Sequence, residues 1–111
     1  NFVVGICLGH QLILSVIGHS ITPLKQPNHG VSLNLKLNKY FAHYFGNTSI
    51  QAQFYNSLGV VKTKKKLLLI DEVYCQRNLV LLSKGSNFFT SQFHLESIGT
   101  ISIGNILQNL L

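Results

Sequence analysis

The stretch GICLGHQ, residues 5–11, decides the fold of this 111-residue chain, because it places a cysteine between two glycines where one hydrophobic pattern gives way to another. Up to Cys7, the run FVVGIC is continuously apolar, which is typical of a strand covered on both faces in a parallel sheet. From Leu8 onward, apolar residues recur at helical spacing until Gly18, a residue that often ends a helix. The sequence therefore predicts a strand, a sharp turn and a helix.

A G-x-C-x-G turn between a strand and a helix has the form of a nucleophile elbow, in which the nucleophile is held in a strained backbone conformation. Gly5 and Gly9 would leave room for such a turn. The N-terminus of the following helix would point its amides and positive dipole end at the sulfur and favour the thiolate of Cys7. The amide of Leu8 would also face an oxyanion formed at Cys7.

A second candidate stretch, FHLE at residues 93–96, supplies a histidine and a carboxylate. A thiolate that performs acyl chemistry needs a base, and the base needs an orienting partner. His94 follows an apolar strand, where active-site residues of open α/β sheets gather, and Glu96 lies two residues on. Taken singly, Cys7 could be an inert core thiol, His94 a strand-end histidine and Glu96 a surface carboxylate. Together they favour a Cys-His-Glu triad.

The rest of the chain is predicted from turn residues and hydrophobic periodicity. Both prolines fall in the predicted loop 22–30, and residues 31–41 begin with the alternation of a strand that has one wet face. Two of the later strands would pair across a turn near residues 76–78. The further predicted elements are strands at 50–55, 66–75, 78–84 and 87–94, and a closing helix from Ile103.

Composition limits the class of protein. With 46% hydrophobic and 11% charged residues, the chain is expected to form a packed domain. Its longest apolar runs fall well short of the roughly 18 residues of a membrane span, so we expect a soluble, cytoplasmic protein without membrane contact. Two cysteines do not make a disulfide framework, so Cys7 and Cys75 are predicted to be free thiols.

The net charge of +6 does not by itself predict nucleic-acid binding. The basic residues cluster in KTKKK, residues 62–66, without the interleaved aromatic residues that stack on bases. A solvated turn before the apolar run LLLI explains this cluster better. We therefore expect no nucleic-acid partner.

The pairing of GICLGHQ with the downstream QFHLES resembles the class I, triad-type glutamine amidotransferases over nearly the whole chain. The resemblance implies an α/β fold with an open, mostly parallel sheet flanked by helices, of the flavodoxin-like type. It also implies that Cys7 attacks the side-chain amide of glutamine to give a thioester. His94 would protonate the departing ammonia and then activate water, while Glu96 would hold the imidazole. The proline usual between these two residues is Leu95 here.

The same resemblance implies a glutamine-binding set. In such relatives, the glutamine after the elbow and a Ser-Leu pair downstream hold the α-amino and carboxylate groups of the substrate. By position these are Gln11, Ser57 and Leu58, with the amide of Leu8 at the reacting carbonyl. Without the resemblance, an exposed helix residue would be an equally good interpretation of Gln11, and an ordinary strand end the better one of Ser57 and Leu58. His10 matches the motif but needs no catalytic role.

Two further stretches narrow the resemblance to the branch that uses chorismate. The tail from Glu96 looks like that branch, and QPNHG followed by FYNSL, residues 54–58, is most similar to phenazine-type 2-amino-2-deoxyisochorismate synthases. Anthranilate and 4-amino-4-deoxychorismate synthases more usually carry Arg-Tyr-His-Ser-Leu there, and remain the alternative. A chorismate-binding synthase domain or subunit is the implied partner. Any Mg²⁺ would belong to that partner, and no metal site or cofactor is expected in this domain.

Residues 1–111 are predicted to be the C-terminal portion of a single amidotransferase domain, since the family begins roughly 70 to 80 residues before the elbow. That earlier portion carries a glycine-rich loop with the second oxyanion amide. The loss of one oxyanion donor typically costs about 2.7 to 4 kcal/mol of transition-state stabilisation. The chain alone is therefore expected to be an impaired enzyme, and a truncated, non-catalytic module that binds a synthase partner is the other hypothesis.

Overall fold

The computed structural model describes residues 2–95, 106, 108 and 109. Residues 2–95 form eight strands and two short helices. The elements are β1 (Val3–Ile6), α1 (Leu8–Ile17), β2 (Ser20–Pro23), β3 (Val31–Lys36), α2 (Lys39–Phe45), β4 (Ser49–Phe54), β5 (Leu58–Val61), β6 (Glu72–Gln76), β7 (Leu79–Lys84) and β8 (Phe88–Ser91).

Six strands form one sheet, in which β1, β8, β7, β5 and β2 lie side by side in that order and β6 also pairs with β7. Strands β1 and β8 run parallel, with Val3 opposite Phe88 and Ile6 opposite Ser91. The other pairs in this sheet are antiparallel. Strands β3 and β4 form a separate antiparallel pair.

The α/β class was predicted correctly, but the mostly parallel sheet is corrected to a mixed sheet. Among the described strands, β1 and β8 make the single parallel pair. A parallel pair needs a long crossover connection, whereas β6, β7 and β8 follow one another through short turns that permit only antiparallel pairing. The parallel pair is the one that positions the two candidate catalytic stretches.

The predicted pairing of β6 with β7 is confirmed, and its turn has a specific geometry. The two central residues, Arg77 and Asn78, have φ values of 49° and 67°. Positive φ at both positions is the signature of the type I′ turn, whose twist matches that of the flanking strands.

Helix α2 was not predicted, because the alternating strand that begins at Val31 was extended into it, to residue 41. Strand β3 ends at Lys36, and Asn38 caps the helix, its side-chain oxygen accepting a hydrogen bond from the Phe41 amide at 3.0 Å. Gly46, with φ of 68°, ends it. With only seven residues, α2 is too short for helical periodicity to stand out.

Several other strand boundaries differ from the predicted ones. The strand predicted at 66–75 is β6 alone, since Leu68 and Leu69 lie in an exposed turn. Strand β8 ends at Ser91 and not at His94, strand β2 includes the start of the predicted loop 22–30, and β5 was not predicted. Of the predicted closing helix, residues 106, 108 and 109 are helical and the rest lies outside the described residues.

The hydrophobic core contains a cluster of aromatic rings on the α2 side of the sheet. Phe41 and Phe45 of α2 lie with their ring centroids 6.1 and 6.2 Å from Phe89 of β8. Phe93, just after β8, packs against Phe45 and Phe54. These rings hold in place the segment that leads to His94.

Helix α1 packs a different face than its apolar pattern suggests. Its buried residues are His10, Gln11 and Leu14, while Leu8, Leu12 and Val16 are 62%, 58% and 87% exposed. The helix was predicted correctly from its spacing. Its buried face nevertheless carries two polar side chains, His10 and Gln11, which form hydrogen bonds with the sheet and with the segments around the elbow.

Candidate active site

Cys7 occupies the predicted elbow. It has φ of 55° and ψ of −102°, a conformation sparsely populated by residues with a side chain. The turn is held from both sides, since the Cys7 amide donates to the Ser91 carbonyl at 2.7 Å and the Cys7 carbonyl accepts from the Gln11 amide at 3.1 Å. The parallel pair β1–β8 and the first turn of α1 thus maintain the strain.

The two glycines of the elbow differ in their surroundings. A Cβ atom on Gly5 would lie 2.9 Å from the backbone of Gly9 and 2.7 Å from Cδ1 of Ile13. The same atom on Gly9 would meet nothing within 4 Å. Close packing of strand on helix therefore requires glycine at position 5, whereas nothing among the described residues crowds position 9.

The N-terminus of α1 supplies amides next to the sulfur. The first intrahelical hydrogen bond runs from Gln11 to Cys7, so the amides of Leu8, Gly9 and His10 precede the helix ladder. Such amides favour negative charge. An oxyanion on a group attached to Cys7 would find the Leu8 amide as a donor.

Among the described residues, Tyr55 and Gln92 form hydrogen bonds with the Cys7 sulfur. The thiol donates to the backbone carbonyl of Tyr55 at 3.8 Å, and the sulfur accepts from the side-chain amide Nε2 of Gln92 at 3.7 Å. Gln92 lies in the quoted QFHLES motif, but sequence reasoning gave it no role. Neither contact has a local sequence signal, since the two partners lie 48 and 85 positions from Cys7.

His94 lies in the segment after β8, at the same end of the parallel pair as Cys7. Its amide donates to the Gln53 carbonyl at 3.3 Å. Its half-buried ring meets the ring of Tyr55 edge-on, with centroids 5.5 Å apart and planes at 79°. Tyr55 thus contacts two of the three predicted catalytic residues, Cys7 through its carbonyl and His94 through its ring.

Glu96, the predicted orienting carboxylate, lies outside the described residues. Its proposed contact with His94 stays a prediction. The neighbouring Leu95, which stands at the usual proline position, is buried at 1% exposure and anchors the segment in the aromatic cluster.

The predicted glutamine-binding residues lie close to the elbow. Gln11 is buried, and its Nε2 donates to the Leu58 carbonyl at 3.0 Å and to Oε1 of Gln92 at 3.1 Å. Ser57 and Leu58 are exposed at the start of β5. The structure therefore brings Gln11 and Leu58 into direct contact. It also shows the Gln11 amide nitrogen already bonded within the protein.

His10 is fully buried behind the elbow and binds α1 to the sheet. Its Nε2 lies 2.9 Å from the Val80 carbonyl, which can only accept, so this nitrogen carries the proton. Its Nδ1, 2.8 Å from the Thr90 hydroxyl, is then the acceptor, and that hydroxyl also bonds Ser83. Burial lowers the pKa of His10 from 6.5 to about 4. His10 is thus a neutral structural histidine, consistent with the expectation that it needs no catalytic role.

Cys7 and Cys75 are both free thiols, and burial raises the pKa of Cys75. In residues 2–95, 106, 108 and 109, no group of three or more His, Cys, Asp and Glu side chains is placed to hold a metal ion. Among the same residues, no helix is long and apolar enough to span a membrane.

The elbow cysteine thus lies at a helix N-terminus, and the parallel pair β1–β8 brings the histidine segment to the same end of the sheet. Residues 2–111 match the family described as glutamine amidotransferase class-I, and the chain belongs to that family. The family expected from GICLGHQ and QFHLES is confirmed.

The chain is similar to two curated relatives. It is 32% identical over 114 residues to anthranilate synthase component 2 of Saccharolobus solfataricus, with 98% of this chain and 58% of the relative covered. It is 26% identical over 109 residues to the pyocyanine-specific anthranilate synthase component 2 of Pseudomonas aeruginosa, with 98% and 54% covered. The chain thus spans just over half the length of these relatives.

Two solved structures share the fold. A protein assigned as a GMP synthase subunit, from Thermoplasma acidophilum, superposes with a TM-score of 0.69 at 19% identity, covering 98% of this chain and 55% of that one. A glutamine amidotransferase from Thermotoga maritima gives 0.64 at 18% identity, covering 84% and 40%. At these identities the likeness concerns the fold alone.

Proposed function

We propose that this chain is the catalytic portion of a glutamine amidotransferase that releases ammonia from glutamine through a thioester on Cys7. The observation that carries the proposal is the strained Cys7 at the N-terminus of α1, whose sulfur lies between the Tyr55 carbonyl and the Gln92 amide. Strain of this kind persists where the surrounding structure imposes it, and it clusters at active sites.

In the proposed reaction, the Cys7 thiolate attacks the side-chain carbonyl carbon of glutamine. The carbonyl electron pair moves onto oxygen, where the Leu8 amide donates a hydrogen bond. When this intermediate collapses, the C–N bond breaks, and His94 gives its proton to the departing ammonia. Water then loses a proton to His94 and adds to the thioester. The C–S bond breaks, and glutamate is released with regeneration of Cys7. Glu96 orients the His94 imidazole.

We also propose that Gln11, Ser57 and Leu58 bind the substrate and hold the α-amino and carboxylate groups of glutamine. Their position supports the assignment, since Gln11 and Leu58 lie in contact one helical turn beyond Cys7. Leu58 and Ser57 are exposed there and accessible to a ligand.

For the ammonia acceptor, we propose chorismate on a synthase domain or subunit, with 2-amino-2-deoxyisochorismate of phenazine-type biosynthesis as the product. FYNSL at residues 54–58 supports this choice, as does the similarity to a pyocyanine-specific relative. Anthranilate synthase is the second candidate, favoured by the higher identity of the Saccharolobus relative. The product is decided in the partner, which would also hold any Mg²⁺.

The test of the proposal uses the complete protein together with its synthase partner. Cys7→Ser is expected to lower glutamine-dependent product formation by roughly a thousandfold or more, while ammonia-dependent formation persists. Cys75→Ser is the matched control and should leave both activities unchanged. An electrophilic glutamine analogue should label Cys7 and leave Cys75 free.

Glutamine use that survives in the Cys7→Ser protein would overturn the assignment of the nucleophile. Failure of the analogue to label Cys7 in the folded wild-type protein would favour the other hypothesis, a non-catalytic module that binds a synthase. Product analysis with chorismate then separates the phenazine-type product from anthranilate and aminodeoxychorismate.

A further inference from the structure

Gln92 is a buried polar residue that connects the nucleophile to the predicted glutamine-binding residues. Its side chain is 1% exposed and lies between Cys7 and Gln11. Its Nε2 faces the Cys7 sulfur at 3.7 Å, and its Oε1 accepts from Gln11 at 3.1 Å. Both ends of one buried amide are therefore engaged.

The orientation of this amide follows from the chemistry of its neighbours. The Leu58 backbone carbonyl can only accept, so the group that Gln11 presents to it at 3.0 Å is the NH₂. The same NH₂ donates to Gln92, whose oxygen must then face Gln11. This leaves the NH₂ of Gln92 directed at Cys7. A flip of the Gln92 amide would place two NH₂ groups against each other.

The two contacts of the Cys7 sulfur favour opposite protonation states. The Tyr55 carbonyl accepts from the protonated thiol and offers nothing to a thiolate. The Gln92 amide donates to sulfur, and a hydrogen bond to the charged form of a group favours that form. When Cys7 loses its proton, the Gln92 amide is positioned to stabilise the thiolate.

The hydrogen bonds that position Gln11 continue into the loop before β3. The Leu58 carbonyl also accepts from Nδ2 of Asn56 at 2.8 Å, and Oδ1 of Asn56 accepts from Nδ2 of Asn28 at 2.9 Å. The Leu58 peptide is thus fixed by two amides. A ligand that moved this peptide would move Gln11 and, through it, the donor to Cys7.

Resting on the proposed function, we propose that Gln92 is a catalytic hydrogen-bond donor to the Cys7 thiolate, oriented by a relay from the Leu58 carbonyl through Gln11. Gln92 donates to the thiolate that attacks glutamine and again to the sulfur as it departs in thioester hydrolysis, when the C–S electron pair returns to it. Gln11 is a positioning residue in this relay.

The test measures alkylation of Cys7 by iodoacetamide across pH in the complete protein, with site-resolved mass spectrometry and Cys75 as internal reference. Gln92→Met removes the donor, and Gln92→Glu keeps an acceptor for Gln11 but presents oxygen to the sulfur. Both variants should move the alkylation profile to higher pH and slow alkylation near neutrality by roughly two- to tenfold. Gln11→Met should give a smaller shift in the same direction.

Gln76→Met is the matched control, because the Gln76 amide also donates to a neighbouring side chain, the Tyr74 hydroxyl at 3.1 Å, but belongs to β6. It should leave the Cys7 profile unchanged. Thermal melts establish that each variant is folded. If Gln92→Met does not fold, the near-isosteric Gln92→Glu decides the question.

Other titratable side chains around Cys7 are retained in every variant. They are His10 on α1, Tyr55 after β4, His94 after β8 and the predicted neighbour Glu96. An unchanged profile in a folded Gln92 variant would overturn the proposal. Alkylation requires no glutamine, so this result is independent of whether Cys7→Ser abolishes glutamine use.

Discussion

The elbow at Cys7 and the hairpin turn at Arg77 and Asn78 both hold residues with side chains at positive φ, for different reasons. In the hairpin, φ of 49° and 67° belong to a standard turn whose twist suits the strands. At the elbow, φ of 55° comes with ψ of −102°, outside the left-handed helical region. The hairpin conformation therefore serves strand pairing, whereas that of the elbow presents a sulfur to a helix N-terminus.

The largest expected effect comes from removing the side chain at the elbow. Cys7→Gly should reduce glutamine-dependent turnover to background in the complete protein. Stability should change by no more than about 1 kcal/mol, because relief of the backbone strain offsets the lost sulfur contacts. Activity assays and chemical denaturation check the two parts. A loss of stability well beyond that would show that Cys7 is primarily a core residue.

The second-largest effect is a loss of folding stability at low pH, where the buried His10 behind the elbow becomes protonated. In the folded protein the pKa of His10 is about 4, below its ordinary value of 6.5. The contribution of neutral His10 to the free energy of unfolding is therefore complete above about pH 6.5. This contribution, about 3 kcal/mol at most, should disappear as pH falls from 6.5 to 4. Denaturation curves at stepped pH measure the loss.

His10→Gln should flatten that pH dependence, whatever its effect on stability at pH 7. His19 provides the comparison, since burial also lowers its pKa and it acts in the same direction. His19→Gln should leave most of the slope in place. An equal slope in wild type and His10→Gln would contradict the assignment of the slope to His10.

The two glycines of the elbow should respond differently to alanine. Gly5→Ala drives a methyl group into the Gly9 backbone and Ile13, and should cost about 1 to 3 kcal/mol. Gly9→Ala is the matched variant and should be neutral or stabilising by up to about 1 kcal/mol, since the position is helical and open. Equal losses in the two variants would mean that strand and helix are not as close as described.

The smallest effect is expected at the hairpin. Arg77→Asn puts a residue that tolerates positive φ at an exposed turn position, and should stabilise the protein by about 0.5 kcal/mol. Arg77→Lys, which keeps the strain, should change nothing. Activity should stay at the wild-type level in both, in contrast to every change of the Cys7 side chain.

The elements that could be predicted from sequence are those specified by residues within or next to them. The glycine-flanked Cys7, the helical spacing that ends at Gly18 and the turn before β7 each lie within a few residues of the element they specify. Helix α2 was missed because its Asn38 cap followed directly on an alternating strand. The short strands β2 and β5 have four residues each, too few for a period to emerge.

The site was predictable in part for the same reason. Cys7 and His94 stand in motifs, and the structure places both around Tyr55. Gln92 could not be assigned, because its partners Cys7 and Gln11 lie 85 and 81 positions away in sequence. Only the register of β1 against β8 brings them together.

The register of β1 against β8 also determines when the elbow can form during synthesis of the chain. Cys7 leaves the ribosome well before its partners, because the strand that holds its amide and the side chain that faces its sulfur are made more than eighty residues later. Closing so long a loop is slow compared with forming the local turn and helix. A nascent or partly folded chain therefore lacks the elbow geometry. Assembly of β1 with β8 is the event that creates the site at which we propose that Cys7 acts as the nucleophile.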